Sequence, residues 1–250
     1  MPVKIKLTIL LFLILSGSPV LANETQKALN AINRGDHKTA INIWKNLASR
    51  GNNAAQFNLG LVYLKGDGVK QNLSKAAKWF RLAAIQGNAE AQLKLGEMYV
   101  KGKGVPKDYK RAAKWYLYSS KHGNMDAQFN LGSMFEVGEG IIQNNEKAIQ
   151  WYKRSAKQGH SGAQYKLGAM HDKANISNKE FKKALKWYLK SGENGYAEAQ
   201  FKLGEIFDQG IKNKKDKRKA FKWYSLAAEK GHPKAQFHLG SLYENGHGIE

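Results

Sequence analysis

From residue 53 onward the apolar residues fall at helical spacing. Ala55, Leu59 and Tyr63 lie at i, i+4 and i+8, one stripe of a helix with 3.6 residues per turn. The segment closes at Gly66-Asp67-Gly68, where glycine supplies the positive φ of a helix C-cap. A polar residue, Asn72, then opens a second apolar stripe of Ala76, Trp79, Phe80 and Ala83, which ends at Gly87. The pattern predicts a helix hairpin, a helix A followed by a helix B.

The hairpin repeats. Ala-Gln-x-x-Leu-Gly occurs six times, with its glycine at Gly60, Gly96, Gly132, Gly168, Gly204 and Gly240, every interval being 36 residues. Trp79, Trp115, Trp151, Trp187 and Trp223 form a second ladder of the same period, read as core. The mid-helix glycine costs about 1 kcal/mol against alanine, so its recurrence implies close approach of a partner helix. Helix B opens on the column Asn72, Asp108, Asn144, Glu180 and Asp216, all but Glu180 good N-caps. The fourth unit lacks the paired glycines of its A–B turn, with Ala174 and Ile176 there, and the fifth keeps Gly210 but has Lys212. A lone hairpin cannot bury both apolar faces, so the units are expected to stack.

The expected organisation is a leader (1–22), a degenerate capping repeat (23–52), five complete repeats (53–88, 89–124, 125–160, 161–196, 197–232) and an incomplete sixth (233–250). In the last unit Phe237, Leu239 and Leu242 either leave an uncovered edge or let the helix cap the fifth repeat, and the cap is the favoured reading.

The segment AEAQLKLGEMYVKGKGVPKDYKRAAKWY, Ala89 to Tyr116, resembles the Sel-1-like repeat, a relative of the tetratricopeptide repeat, and the resemblance extends over residues 24 to 250. It implies an all-α, right-handed superhelical solenoid of antiparallel helix pairs, with A helices on the concave surface and B helices on the convex one. It also implies an adaptor or scaffold role. One branch, cysteine-rich secreted proteins with β-lactam-binding or β-lactamase activity, carries paired cysteines in each repeat. This chain has none, so a β-lactamase-type hydrolase ranks last among the readings.

The N-terminus changes the picture of location. Lys4 and Lys6 precede the apolar run Leu7 to Leu15, and Val20-Leu21-Ala22 supplies the small residues of a cleavage site. A run of nine residues is too short to cross a bilayer core of about 30 Å. The chain is therefore expected to be exported, periplasmic or secreted, without stable membrane insertion after cleavage. With no cysteine, its stability has to come from packing alone.

Charge divides the two helices. Without Lys4 and Lys6 the chain has 39 basic and 20 acidic residues, net +19. The A segments hold 7 basic against 9 acidic residues and the B segments 20 against 6. A basic outer face is expected, with Lys110, Arg111, Lys114, Lys182, Lys183, Lys186, Lys217 and Arg218 as candidates. It reads either as a solvated surface or as a binder of an anionic envelope polymer, peptidoglycan or lipopolysaccharide. The inner groove is expected to be neutral to acidic, with Glu97, Glu136, Asp172, Glu205 and Asp208 as candidate partner-binding acids. The column Phe57, Leu93, Phe129, Tyr165, Phe201 and Phe237 reads as packing between A helices or, more sharply, as apolar anchors for a partner.

Catalytic patterns are absent: no cysteine nucleophile, Gly-x-Ser-x-Gly elbow, phosphate-binding glycine loop or His-Glu-x-x-His. His160 and His232 follow a glycine in a column that also contains Asn88, Asn124 and Tyr196, which points to turn chemistry rather than a metal. No catalytic residue, cofactor or metal is expected. The expected partner is a protein or peptide, and nucleic acid is not.

Overall fold

The computed structural model describes residues 19–173, 178–210 and 215–246. Among these are thirteen helices and no strand. An N-terminal pair, α1 (Pro19–Asn33) and α2 (His37–Ser49), comes first. The A helices are α3 (Asn53–Lys65), α5 (Ala89–Lys101), α7 (Met125–Val137), α9 (Ser161–Lys173), α11 (Ala197–Gln209) and α13 (Pro233–Glu244). Between them stand the B helices α4 (Leu73–Ile85), α6 (Tyr109–Lys121), α8 (Asn145–Lys157), α10 (Asn178–Glu193) and α12 (Lys217–Glu229). Residues 1–18 of the expected leader (1–22) and the turn residues Ala174, Ile176 and Lys212 lie outside the described residues. The fold is an all-α repeat solenoid. The chain divides into two compact units, with the boundary between Trp115 and Tyr116. Within each unit, helices pack on their neighbours in the chain.

The column after the interhelix glycine is the N-cap of helix A. Asn52, Asn88 and Asn124 accept hydrogen bonds from the backbone N–H of Ala55, Ala91 and Ala127 at 2.8–2.9 Å. His160 and His232 do the same through Nδ1, from Ala163 at 3.0 Å and Ala235 at 3.2 Å. Tyr196 makes no such bond. At the other end, Gly66, Gly102 and Gly138 terminate their helices in the left-handed region, with φ of 84°, 65° and 85°. Helix B opens on Asn72, Asn144 and Asp216 caps. Asp108 likewise accepts from Arg111 N–H at 2.9 Å. Glu180 lies inside the first turn of α10, where it accepts from His171 and Lys183, both at 2.7 Å.

The core differs from the expected tryptophan ladder. The residue after each tryptophan is the one buried: Phe80, Tyr116, Tyr152, Tyr188 and Tyr224 are all at most 4% exposed. Trp79, Trp115, Trp151 and Trp187 are only partly buried, and Trp223 alone of this ladder is buried. The motif glycine explains the choice. A Cβ on Gly60, Gly132, Gly168 or Gly204 would lie 2.4–2.8 Å from a ring carbon of Phe80, Tyr152, Tyr188 or Tyr224. The ring occupies the space that any larger residue would need. Each fully buried ring of this size contributes roughly 1.5–3 kcal/mol.

The glutamine of Ala-Gln is buried as well in the first five copies, and it links one repeat to the next. Its amide donates to a carbonyl in the last turn of the preceding B helix: Gln92 to Ala84 at 2.9 Å, Gln164 to Ala156 at 3.2 Å, Gln200 to Gly192 at 3.0 Å. Gln164 Oε1 in turn accepts from Asn194 at 2.9 Å, and Gln128 Oε1 from Gln158 at 2.8 Å. Burial in low dielectric makes an unmade partner here costly.

The last helix divides its two faces. Ala235 and Leu242 are buried against the fifth repeat, and Leu239 packs on the same cluster. Phe237, however, is 75% exposed.

Candidate functional site

The aromatic column faces its own helix B. The Phe57 ring centre lies 5.7 Å from that of Phe80, Phe129 5.6 Å from Tyr152, Tyr165 5.6 Å from Tyr188 and Phe201 5.9 Å from Tyr224. On the other side the same rings meet the N-cap of the next helix A. His160 stacks on Phe129 and His232 on Phe201, both at 4.5 Å, and Tyr196 tilts against Tyr165 at 5.4 Å. The packing reading of this column holds, with a correction: its partners are the helix B ring and the next N-cap. Phe57, Phe129 and Tyr165 keep a partly exposed edge, while Leu93 and Phe201 are buried.

The candidate acids are held in pairs. In the N-terminal unit Glu97 accepts from Lys94 at 3.0 Å. In the C-terminal unit Glu136 of α7 accepts from Tyr152 Oη at 2.6 Å and from Lys166 of α9 at 3.0 Å. Asp172 of α9 accepts from Tyr188 Oη at 3.3 Å and faces Lys202 of α11 at 3.6 Å, which also lies 3.7 Å from Glu205. Asp208 pairs with Lys217. An acid of one A helix thus meets a lysine of the next, so the face alternates in sign and the acids do not form a bare negative strip. Burial pushes the phenols of Tyr152 and Tyr188 above their usual range, and the Glu136 and Asp172 carboxylates add to it. Both tyrosines therefore stay neutral donors.

The basic candidates do not all share one face. Lys110, Lys114, Lys182, Lys186 and Arg218 are exposed. Arg111 lies 3.2 Å from Asp108 and over the Tyr99 ring, and Lys183 is 2.7 Å from Glu180. Lys217 is partly buried in its pair with Asp208, which moves it from the outer set to the acid column. Lys179, Lys182, Lys183 and Lys186, one stripe of α10, line a shallow depression of about 520 Å3 with Asn178. Among the described residues no group of three or more metal-capable side chains comes together, and no helix is long and apolar enough to cross a membrane.

The column of Asn88, Asn124, His160, Tyr196 and His232, expected to be turn chemistry, is the N-cap of helix A, whereas the burial of the inter-repeat glutamines is not part of the sequence-based expectation. A signal existed: a polar residue repeated at every copy inside an apolar stripe implies a buried hydrogen bond.

The profile described as "Sel1 repeat" matches residues 53–88, 89–124, 126–160, 161–196, 197–232 and 233–250. The chain belongs to the Sel1 repeat family. A Sel1 repeat protein from Oxalobacter formigenes is 32% identical, with a TM-score of 0.81 over 89% of this chain and 91% of that one. A protective antigen present in uropathogenic Escherichia coli strains and displaying an SLR fold is 34% identical, with a TM-score of 0.81 over 90% of this chain. This chain spans about half, 49%, of that antigen's length. An immunity protein of Pseudomonas aeruginosa, 17% identical with a TM-score of 0.53, shares the fold. No curated protein matches. Sel1 repeats are in general scaffolds for protein–protein interaction.

Proposed function

We propose that this Sel1 repeat protein is an exported scaffold that binds a protein or peptide partner through the concave surface of its A helices. The observation that carries the reading is the alternation of partly buried charges within each unit: Lys94 with Glu97 in one, and Glu136, Lys166, Asp172, Lys202 and Glu205 on successive A helices of the other. Paired but not sealed from water, these groups exchange partners with an incoming peptide at little cost, because each pair is worth about 1 kcal/mol or less. Glu97, Glu136, Asp172, Glu205 and Asp208 supply the acceptors, and the edges of Phe57, Phe129 and Tyr165 shape the surface beside them, with Phe201 buried behind. The domain division follows the repeats, from 53–88 to an incomplete 233–250, after a leader of 1–22 and a capping repeat of 23–52.

Crosslinking in the native envelope, followed by identification of captured proteins, tests the reading. Charge reversal at Glu97, Glu136 and Glu205 should abolish capture, and reversal at Lys110, Lys114 and Lys186 should leave it intact. Export is tested separately by N-terminal sequencing, which should begin at Asn23.

A second reading, an anionic envelope polymer held by the B helices, is favoured by the lysine stripe of α10. It requires binding to collapse as salt rises towards physiological strength, because exposed charges are screened over about 8 Å there. A β-lactamase-type activity ranks last and would show as hydrolysis of a chromogenic β-lactam.

A further inference from the structure

Register as well as number sets apart the basic residues of two B helices. Eight, five, four and one residues before the helix B tryptophan, α10 has Lys179, Lys182, Lys183 and Lys186, and α12 has Lys215, Arg218, Lys219 and Lys222. The same columns of α8 hold Gln143, Glu146, Lys147 and Gln150, and those before Trp79 hold Gln71, Ser74, Lys75 and Lys78. The repeat therefore folds with neutral or acidic residues there, and helix formation does not demand the basic set. Like charges at i, i+3 and i+4 instead repel one another along each helix. In the N-terminal unit the set occurs once, before Trp115, where Asp108 already holds Arg111.

The acids at the start of each helix are engaged. Glu180 accepts from Lys183 and His171, and Asp216 accepts from both the backbone N–H and the Nζ of Lys219. The remaining acids, Glu193 and Glu229, stand at the C-terminal ends. Among the described residues no ion pair engages Lys179, Lys182, Lys186, Lys215 or Lys222, and all five are exposed. Trp223 of α12 lies 3.0 Å from where a Cβ on Gly192 of α10 would stand, so the two helices belong to one surface. The depression of about 520 Å3 along α10 is lined by Asn178 and four lysines.

We propose, resting on the polymer-binding reading of the B helices, that the exposed face of α10 and α12 binds a linear polysaccharide carrying phosphate or sulfate groups. A lysine ammonium is a point charge with three donors, which suits a tetrahedral oxyanion. Planar carboxylates favour the fork of arginine, and no arginine lines the depression. The lysines from 179 to 186 extend over about 10 Å of helix, more than one anionic group covers. An exposed, screened lysine holds an anion weakly, so several groups on one chain have to bind together. The Asn178 amide adds a donor and an acceptor for sugar hydroxyls. A membrane is a poorer match, because neither helix exposes a large apolar residue to insert. Single-stranded nucleic acid needs open aromatic faces, whereas Trp223 is buried and Lys190 covers the Trp187 ring.

The test titrates the full chain with dextran sulfate and with dextran phosphate, against neutral dextran, at low and at physiological salt. A charged dextran should bind saturably and more weakly as salt rises, and the tighter of the two tells sulfate from phosphate. Lys179→Gln with Lys186→Gln, and Lys215→Gln with Lys222→Gln, copy the glutamines of α8 and so keep the fold. Each pair should weaken binding about fivefold, and the four together at least about twentyfold. Lys153→Gln with Lys157→Gln removes as much charge from the exposed face of α8 and should change binding less than about twofold. An equal loss from the α8 pair, or no loss from the fourfold variant, would overturn the site while leaving the polymer-binding reading in place. Polyglutamate bound as tightly as either dextran would overturn the choice of anion. Anionic vesicles or single-stranded DNA bound in preference, and released by the four substitutions, would put another occupant on the face. No salt-sensitive binding to any probe would end both readings.

Discussion

Replacing the same motif glycine by alanine in two repeats should shift stability in opposite directions. At Gly204 the new Cβ would lie 2.4 Å from both Cδ1 and Cε1 of Tyr224 and 2.9 Å from Cγ. That ring cannot swing aside. Phe201 lies against it at 5.9 Å, His238 stacks on it at 5.1 Å, and it is 1% exposed. Overpacking of this kind costs about 1–3 kcal/mol, and an overlap of this depth on a pinned ring belongs at the upper end. Alanine returns about 1 kcal/mol of helix propensity, which leaves a net loss of about 2 kcal/mol. At Gly240 nothing stands within 4 Å, so only the propensity gain of up to about 1 kcal/mol remains. A change of 1 kcal/mol moves the midpoint of a domain of this size by about 2–4 °C. Gly204→Ala should therefore lower the thermal midpoint by about 4–8 °C and Gly240→Ala raise it by up to about 4 °C. Helix ellipticity followed on heating, with urea titration as a check, gives both numbers. If Gly204→Ala were neutral or stabilising, the close-approach account of the repeated glycine would be wrong.

Three further outcomes follow from the packing. Gln164→Leu removes the donor to Ala156 and the acceptor of Asn194, and should cost about 1–3 kcal/mol in urea unfolding; a loss below experimental error would mean the clasp is not formed. Tyr152→Phe keeps the ring but deletes the 2.6 Å bond to Glu136. About 1.5–3 kcal/mol should be lost, and less after Glu136→Gln, since the two share one interaction. Burial pushes the His160 imidazole below its usual range, against the raising pull of Asp126. The unfolded chain then binds the proton more readily than the folded one, so stability falls as pH drops through the unfolded value of about 6.5. Protonation also removes the Nδ1 lone pair that caps α9. His160→Asn, which copies the Asn124 cap, should flatten the dependence of the urea midpoint between pH 7.5 and 5, and an unchanged slope would refute the assignment.

The 36-residue period, the helix pair and the glycine caps are all local or periodic properties. Helix pairing needs only a stripe at 3.6-residue spacing, and a cap needs only the residue at the end of it. Repetition also carried the mid-helix glycine to its close-approach meaning. Which aromatic enters the gap was not legible. Trp151 and Tyr152 are adjacent on one helix, and only the angle at which the A and B helices meet turns Tyr152 onto Gly132 and leaves Trp151 at the edge. The same holds for the candidate acids. Column by column Glu136 and Asp172 read as open groove charges, yet each finds a lysine 30 residues later in the chain. That pairing exists because successive A helices lie side by side. Sequence by itself determined the repeat and its elements, since these rest on interactions a few residues long. Tertiary structure alone decided which side chains the elements bury and which charges they neutralise, because those depend on what the next helix brings.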